Sequence, residues 1–490
     1  MLRKIPLALW LVVPLAFFLY FYHLGAVGLF GPDEPRYASI AREMAHSGDW
    51  ITPRLWGEPW FEKPALLYWM EGIGFAAGLD TEWAPRLPVA LLAAGFLAFY
   101  WWILRREFGC RAAWFSTLIL GTCVGYWGAS QAAVPDLPLT ATFSAAMLLA
   151  LPWVGKREGR FLPAAGALLG LAVLAKGLLP LVLAAPFLWW SRGKSEPPGG
   201  QFRMRAVLLA VAVAAPWYML CYAANGWPFI EIFFMRHQFG RFTSADLMHE
   251  QPWAFYAPVL LGLLAPWTPL IPLAARRTAL RDPRRQFLLA WVLFGLVFFS
   301  LAVNKLPGYV LPLLPAAAAL LGAALDEASN ARRWLACCVL LLVMYPAVEP
   351  MLPAAVAVGT SRAPGPTLQW TWLLPLVLAV PVWLLETRGR RLAAMLCLTL
   401  AATAGAVYLK LAAAPQLDRR ASARSLWHEI EGRAGGVCVG EVERNWRYGL
   451  NYYSVEPLPD CAREPKPVEV RQSAGQEPHA VPLTLLLQPR

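Results

Sequence analysis

Long uncharged apolar blocks alternate with polar connections along this chain. Most blocks run about 17–22 residues, enough for a helix to cross a hydrocarbon core of about 30 Å. They predict spans at 5–24, 87–104, 112–130, 138–154, 161–175, 178–191, 206–223, 253–275, 287–303, 308–325, 334–352, 369–385 and 392–411, about thirteen in all. The expected fold is therefore mainly α and polytopic transmembrane. The first block follows Leu2-Arg3-Lys4 with no small-x-small cleavage pattern after it, so it reads as a retained helix rather than a signal peptide.

The connections form two alternating sets. One carries Arg105-Arg106-Arg111, Lys156-Arg157-Arg160, Arg276-Arg277-Arg281 and similar short basic runs. By the positive-inside rule these face the cytoplasm. The other set, 25–86, 131–137, Lys176-Gly177, 224–252, 304–307, 353–368 and the tail, is richer in acids, His and aromatic residues. An odd number of spans then places the N-terminus inside and the C-terminus outside. In the 25–86 loop, 34–46 predicts a short helix with Asp33 as N-cap and Pro35 in its first turn. The stretch 64–78 mixes Leu66, Leu67, Trp69 and Ile73 with Glu71. It is too short and too charged to span, and it predicts a helix lying in the interface. The tail, 412–490, predicts a small α/β domain with a helix at 422–432 and a strand at 437–442. No internal repeat is visible.

Composition changes this picture little. Of 490 residues 58% are hydrophobic and 15% charged, with 24 Trp. Soluble domains average about 45–50% and about 25%. The net charge of +12 does not point to nucleic acid, because the basic residues sit at the edges of the apolar blocks. Six of the eight cysteines lie in or beside spans and read as packing residues; Cys438 and Cys461 lie in the polar tail, where an outside location makes a disulfide plausible.

The chemistry-bearing residues lie in the outside set. Asp33 reads either as a helix cap or as a carboxylate at the membrane surface aimed at a reacting group. Phe61-Glu62-Lys63-Pro64 sets opposite charges side by side. Adjacent residues do not face each other on a helix, so this is not an obvious ion pair. Lys63 suits a phosphate, Glu62 a metal or a basic partner, and the alternative is an interfacial anchor with a snorkelling lysine. Asp136, pressed against a span, is a functional candidate by default or else a turn cap. Lys176 is placed to neutralise a phosphate or to pair with Asp136. Arg236-His237-Gln238-Phe239-Gly240-Arg241-Phe242 and His249-Glu250-Gln251-Pro252 form the second rich loop. There an Arg suits bidentate phosphate binding, and a His with a carboxylate from another loop suits a divalent cation or is merely structural. Lys305 and Tyr309 read as phosphate contacts or as a snorkelling lysine and an aromatic-belt tyrosine. There is no Walker loop and no GxGxxG after a strand. An enzyme working at the outer face, without a nucleotide supply, takes its activated group from a lipid-linked donor.

Taken in order, Pro32-Asp33-Glu34-Pro35-Arg36-Tyr37-Ala38, Arg42-Glu43-Met44, Gly48-Asp49-Trp50, Phe61-Glu62-Lys63-Pro64, Asp136, Lys176-Gly177, the 237–242 run, 249–252 and Lys305-Leu306-Pro307-Gly308-Tyr309 resemble the bacterial aminoarabinose transferases of lipid A. Those belong to the GT-C class that includes the protein O-mannosyltransferases. The resemblance covers about 20–315; the tail matches in placement and looks shorter. It implies a membrane glycosyltransferase that uses a polyprenyl-phosphate sugar at the outer face of the inner membrane. It further implies that Asp33 is the catalytic carboxylate, that Lys63, Arg241 and Tyr309 bind the donor phosphate, and that Glu62 with His237 or His249 binds a possible divalent metal (zinc, magnesium or manganese). From their own places in the outside turns, Asp136 is expected as a second catalytic residue and Lys176 and Lys305 as further phosphate contacts. The expected acceptor is lipid A or another envelope glycolipid. The alternatives are a protein hydroxyl, as in O-mannosylation, or a transporter of lipid-linked sugars. Clustering of the charges at one surface and the lack of a repeat disfavour transport.

Overall fold

The computed structural model describes residues 7–192, 201–239, 251–275, 281–358, 369–472 and 478–482. Among these, eight helices are long and apolar enough to cross a membrane: Trp83–Phe108, Asp136–Lys156, Gly159–Lys176, Phe202–Asn225, Pro283–Leu301, Pro307–Glu327, Trp370–Thr387 and Arg391–Ala421. Each lies on one of the thirteen expected spans. A ninth is a bent pair, Trp253–Leu263 and Thr268–Ala274, turning by 103°. The other four expected spans are helical but shorter or broken, so thirteen continuous spans do not form. Leu7–Tyr20 has 14 residues with Pro14 inside. The 112–130 block breaks at Cys123, whose backbone is extended. There the Val124 amide leaves the helix and bonds the Ala265 carbonyl 2.9 Å away, inside the bent pair. Proline divides the 178–191 block at Pro180 and Pro186. An apolar count sees hydropathy but not these interruptions, because proline and a β-region residue end a helix without adding charge.

The fold is a polytopic membrane bundle with one folded extramembrane layer. The first loop supplies most of that layer. Its first helix is Asp33–Ser47 and its second Leu66–Ala76. A two-residue ribbon joins them, β1 (Arg54–Leu55) against β2 (Glu58–Pro59), antiparallel. Close approach explains the glycines of the second helix. A Cβ on Gly72 would meet the Trp50 ring at 2.9 Å, and one on Gly74 would meet the Ala84 carbonyl oxygen at 2.2 Å. That helix is thus wedged between its partner and the start of the Trp83–Phe108 span. The loop is also tied to the bundle, since Trp217 Nε1 donates to the Ile51 carbonyl (3.0 Å) and Asn225 Nδ2 to Thr52 Oγ1 (2.9 Å).

The last long helix runs to Ala421, and the tail follows. It holds the helices Arg424–Ile430 and Arg444–Tyr453 and a three-stranded sheet, β3 (Val437–Val439), β4 (Val468–Arg471) and β5 (His479–Pro482). Strand β3 pairs parallel to β4, and β4 antiparallel to β5. Leu426, Ile430, Val437, Val439, Trp446, Leu450 and Val470 form its core. Cys438 and Cys461 are joined in a disulfide. The helix and strand expected from sequence are both present, shorter than expected.

Candidate functional site

The first-loop helix carries two adjacent carboxylates with different surroundings. Asp33 is its first residue rather than its N-cap; Pro32 holds that position and makes no side-chain cap bond. The capping role is therefore corrected: Asp33 instead faces Arg36, one turn on, with Arg36 Nη2 2.5 Å from Asp33 Oδ1. Opposite charges at i and i+3 meet on a helix surface. The Asp33 side chain stays 49% exposed.

Glu34 is buried beneath it. Arg86, at the start of the next span, donates from Nε (2.9 Å) and Nη2 (2.8 Å) to its two oxygens. The amides of Phe30 (3.1 Å) and Ala133 (2.8 Å) bond the same carboxylate. Arg86 also reaches the carbonyls of Leu24, Val27 and Gly28. A charged pair out of water needs this full set of partners. Through it the first loop, the second span and the 131–137 turn are fixed to one another.

Arg36 extends the ion-pair chain inward. It is buried, and its Nη1 lies 3.1 Å from Glu62 Oε2. Lys63 Nζ lies 3.1 Å from Glu62 Oε1, so the neighbours Glu62 and Lys63 do pair. The helix rule does not apply to them, because they sit in an irregular stretch before Leu66–Ala76. Both are buried. The order is thus Asp33, Arg36, Glu62, Lys63, alternating in sign from a half-exposed carboxylate to a buried ammonium. Burial opposes the charge on Arg36, yet Tyr37, Glu62 and Asp33 hold its pKa above the ordinary value.

A second cluster lies where the 131–137 turn, the end of Gly159–Lys176 and the turn before Pro307–Glu327 meet. Lys176 Nζ is 2.5 Å from Asp136 Oδ1, the pairing that was one of its two expected roles. The same ammonium sits 4.7 Å over the Tyr309 ring. A Cβ on Gly308 would come to 3.3 Å from Asp136 Oδ1, a tight contact, so glycine lets the start of this helix lie close on the carboxylate. Lys305 is nearby in sequence but committed elsewhere: its ammonium donates to the carbonyls of Gln251 (3.0 Å) and Ala302 (2.6 Å). The two clusters are joined at two points. Glu34 bonds Ala133, three residues before Asp136. Phe61 and Ala65, flanking Lys63, pack with Leu174, two residues before Lys176.

His237 is half-buried on a π-helical turn, Glu231–Phe239, whose Phe233 packs with Phe61. Arg241 and His249 lie outside the described residues. Among the described residues no three His, Cys, Asp or Glu side chains converge as a metal site, and Glu62 is engaged by two cations. His249, the second histidine expected beside Glu62, lies outside that set. Three groups in the site were not picked out from sequence. Arg36 was legible from its spacing to Asp33, and Arg86 from its place as an ionisable residue at a span. Tyr448, from the tail, had no local signal.

Residues 62–220 match the family described as dolichyl-phosphate-mannose-protein mannosyltransferase. Over 326 residues the chain is 35% identical to an undecaprenyl phosphate-α-4-amino-4-deoxy-L-arabinose arabinosyl transferase of Pseudomonas fluorescens, covering 64% of this chain and 55% of that one. A counterpart in Pseudomonas aeruginosa is 34% identical over 335 residues, covering 65% and 60%. The chain thus spans between 55% and 60% of the length of these relatives. Its fold follows crystal structures of ArnT from Cupriavidus metallidurans. With undecaprenyl phosphate bound, that structure aligns over 96% of this chain and 93% of its own at TM-score 0.73 and 24% identity. The apo structure gives TM-score 0.74 at 23% identity, over 95% and 93%.

Proposed function

Taking the chain as the aminoarabinose-transferase-like protein of GT-C fold that these likenesses describe, we propose that it is a glycosyltransferase. It moves a sugar from a polyprenyl-phosphate donor to an envelope glycolipid of the lipid A class, at the outer face of a bacterial inner membrane. The observation that carries this reading is the alternating chain from exposed Asp33 to buried Lys63. It offers a carboxylate to an acceptor at one end and an ammonium to a phosphate at the other. The names of the curated relatives and the undecaprenyl phosphate bound to ArnT support the donor class. The basic connections support a cytoplasmic N-terminus, and the tail disulfide supports an oxidising location for the C-terminus.

In this mechanism the acceptor oxygen attacks the anomeric carbon. The carbon–oxygen bond to the phosphate breaks, and polyprenyl phosphate leaves with the electron pair. Lys63, Lys176 and Tyr309, with Arg241, would stabilise that developing charge. A hydroxyl acceptor gives its proton to Asp33. A phosphate acceptor is already ionised, and Asp33 then orients it. Asp136, paired with Lys176 under the Gly308 turn, fixes the floor of the site. The match to protein mannosyltransferases keeps a protein hydroxyl as the second acceptor class.

The test is transfer by purified protein in detergent, with synthetic undecaprenyl-phosphate aminoarabinose and with lipid A or an acceptor peptide, read by mass spectrometry. Lipid A gaining the mass of one aminoarabinose is expected. Modification of peptide alone transfers the reading to the second class. Transfer to neither acceptor sinks the enzymatic reading.

A further inference from the structure

The tail reaches Arg36 through the ring of Tyr448. We propose that Tyr448 is a positioning residue: it holds Arg36, and through Arg36 the carboxylates of Asp33 and Glu62, in the geometry that transfer needs. The inference rests on the function proposed above and deepens it.

Arg36 is 2% exposed and carries two carboxylates on its two terminal nitrogens. Its Nε has no hydrogen-bond acceptor among the described residues. Nη2 donates to Asp33 and to the Tyr37 hydroxyl, while Nη1 meets Glu62 by charge without a hydrogen bond among the described residues, so these contacts hold one edge of the guanidinium and leave it free to tilt. Aromatic faces supply the missing restraint, because the ring quadrupole attracts a cation over its face. Tyr37 lies 5.0 Å, Trp60 5.6 Å and Tyr448 5.5 Å, ring centre to guanidinium carbon. The first two come from the loop that carries Arg36. The third comes from the far end of the chain.

The position of Tyr448 is set independently of Arg36. Its helix, Arg444–Tyr453, is clamped to the first loop by Arg42 Nη2 to the Tyr452 carbonyl (2.8 Å) and by the Tyr452 hydroxyl to the Thr81 carbonyl (2.5 Å). The Tyr453 hydroxyl accepts from the Leu29 amide (2.9 Å) and lies 3.0 Å from Glu82 Oε1. The Tyr448 ring stands 5.6 Å from that of Trp56, tilted by 34°. A rigid helix thus delivers a ring to a buried cation that bridges the exposed acid and the Glu62–Lys63 pair. Losing the ring face opens Arg36 to water and lets Asp33 swing, while Lys63 keeps its own bond to Glu62.

The experiment compares full-length wild type with Y448F, which keeps the ring, and Y448L, which keeps most of the volume without it. Each is assayed for kcat and donor KM, and for modification of Arg36 by phenylglyoxal, read by mass spectrometry. Expected are Y448F within about twofold of wild type and Y448L down about tenfold in kcat at unchanged donor KM, the scale of a desolvated cation–π contact. Arg36 is expected to be modified in Y448L alone. If Y448L does not fold, Y448M supplies the same comparison. Wild-type kcat in Y448L, continued protection of Arg36 in it, or equal losses in Y448F and Y448L overturn the inference. A wild type that transfers nothing sinks the proposed function instead, and the labelling still reads the ring's hold on Arg36.

Discussion

Asp33 and Glu34 are adjacent on one helix, and the turn that separates their side chains separates their roles. Asp33 is half-exposed and shares Arg36 with Glu62. Glu34 accepts four hydrogen bonds in the interior. Glu34→Ala leaves Arg86 buried and unpaired, a change expected to cost about 3–5 kcal/mol. A lowered unfolding midpoint in detergent checks it, and an unchanged midpoint contradicts it. Glu71, another acid of this layer, is fully buried, and neither of its oxygens has a hydrogen-bond partner among the described residues. Burial, and then Glu34, push its pKa well above the ordinary carboxyl value. The folded protein therefore keeps a proton that the unfolded chain releases above its ordinary pKa of about 4.3. Stability tied to this group falls as pH rises from that value towards the raised one. Glu71→Gln removes the dependence, so its advantage over wild type should grow as pH rises from about 5. Parallel pH profiles for the two proteins would rule this out.

At the level of elements, the tail is bolted to the first loop rather than hung from the last span. Arg424 donates to the carbonyls of Gly25 (3.0 Å) and Ala26 (2.7 Å), and Asp418 accepts from the Gly28 amide (2.7 Å). Tyr452 packs with Leu29, Ala38 and Phe75. Its disulfide joins residues separated by 23 positions in the chain. Closing a loop of that size constrains the unfolded tail by about 3 kcal/mol on chain-entropy grounds. A Cys438→Ser, Cys461→Ser double variant should therefore become protease-sensitive after Ala421 while the membrane helices keep their circular dichroism. Uniform proteolysis of the whole chain would contradict that division. The two loop helices and the tail's helix and strand were legible, because turn glycines, prolines and the spacing of apolar positions mark them locally. The broken spans were not: the helix ends at Cys123, and the next amide, that of Val124, bonds the Ala265 carbonyl, a partner far along the sequence.

For the whole molecule, the legibility of the site follows how far apart its parts lie in the chain. Asp33, Glu62, Lys63, Asp136, Lys176 and Tyr309 stand out in sequence because each is polar beside an apolar block. What joins them is only partly visible. The Asp33–Arg36 pair has a helical spacing, but Arg36 to Glu62, Arg86 to Glu34 and Tyr448 to Arg36 are links between distant stretches with no sequence period. Glu62 is engaged by Arg36 and Lys63, and among the described residues no three-residue donor set gathers around it. Lys63 and Asp33 then stand at opposite ends of one ion-pair chain. Lys63→Ala should weaken donor binding by about tenfold or more, the loss of one charge-assisted contact to phosphate. Calorimetry with undecaprenyl phosphate checks this, and unaltered affinity would remove Lys63 from the donor site. The most direct test of the account is Asp33→Asn, assayed for transfer and for undecaprenyl-phosphate binding on the same preparation. The account predicts that transfer is lost while donor affinity stays within about twofold, since the acid serves the acceptor end. Full transfer by that variant would contradict it.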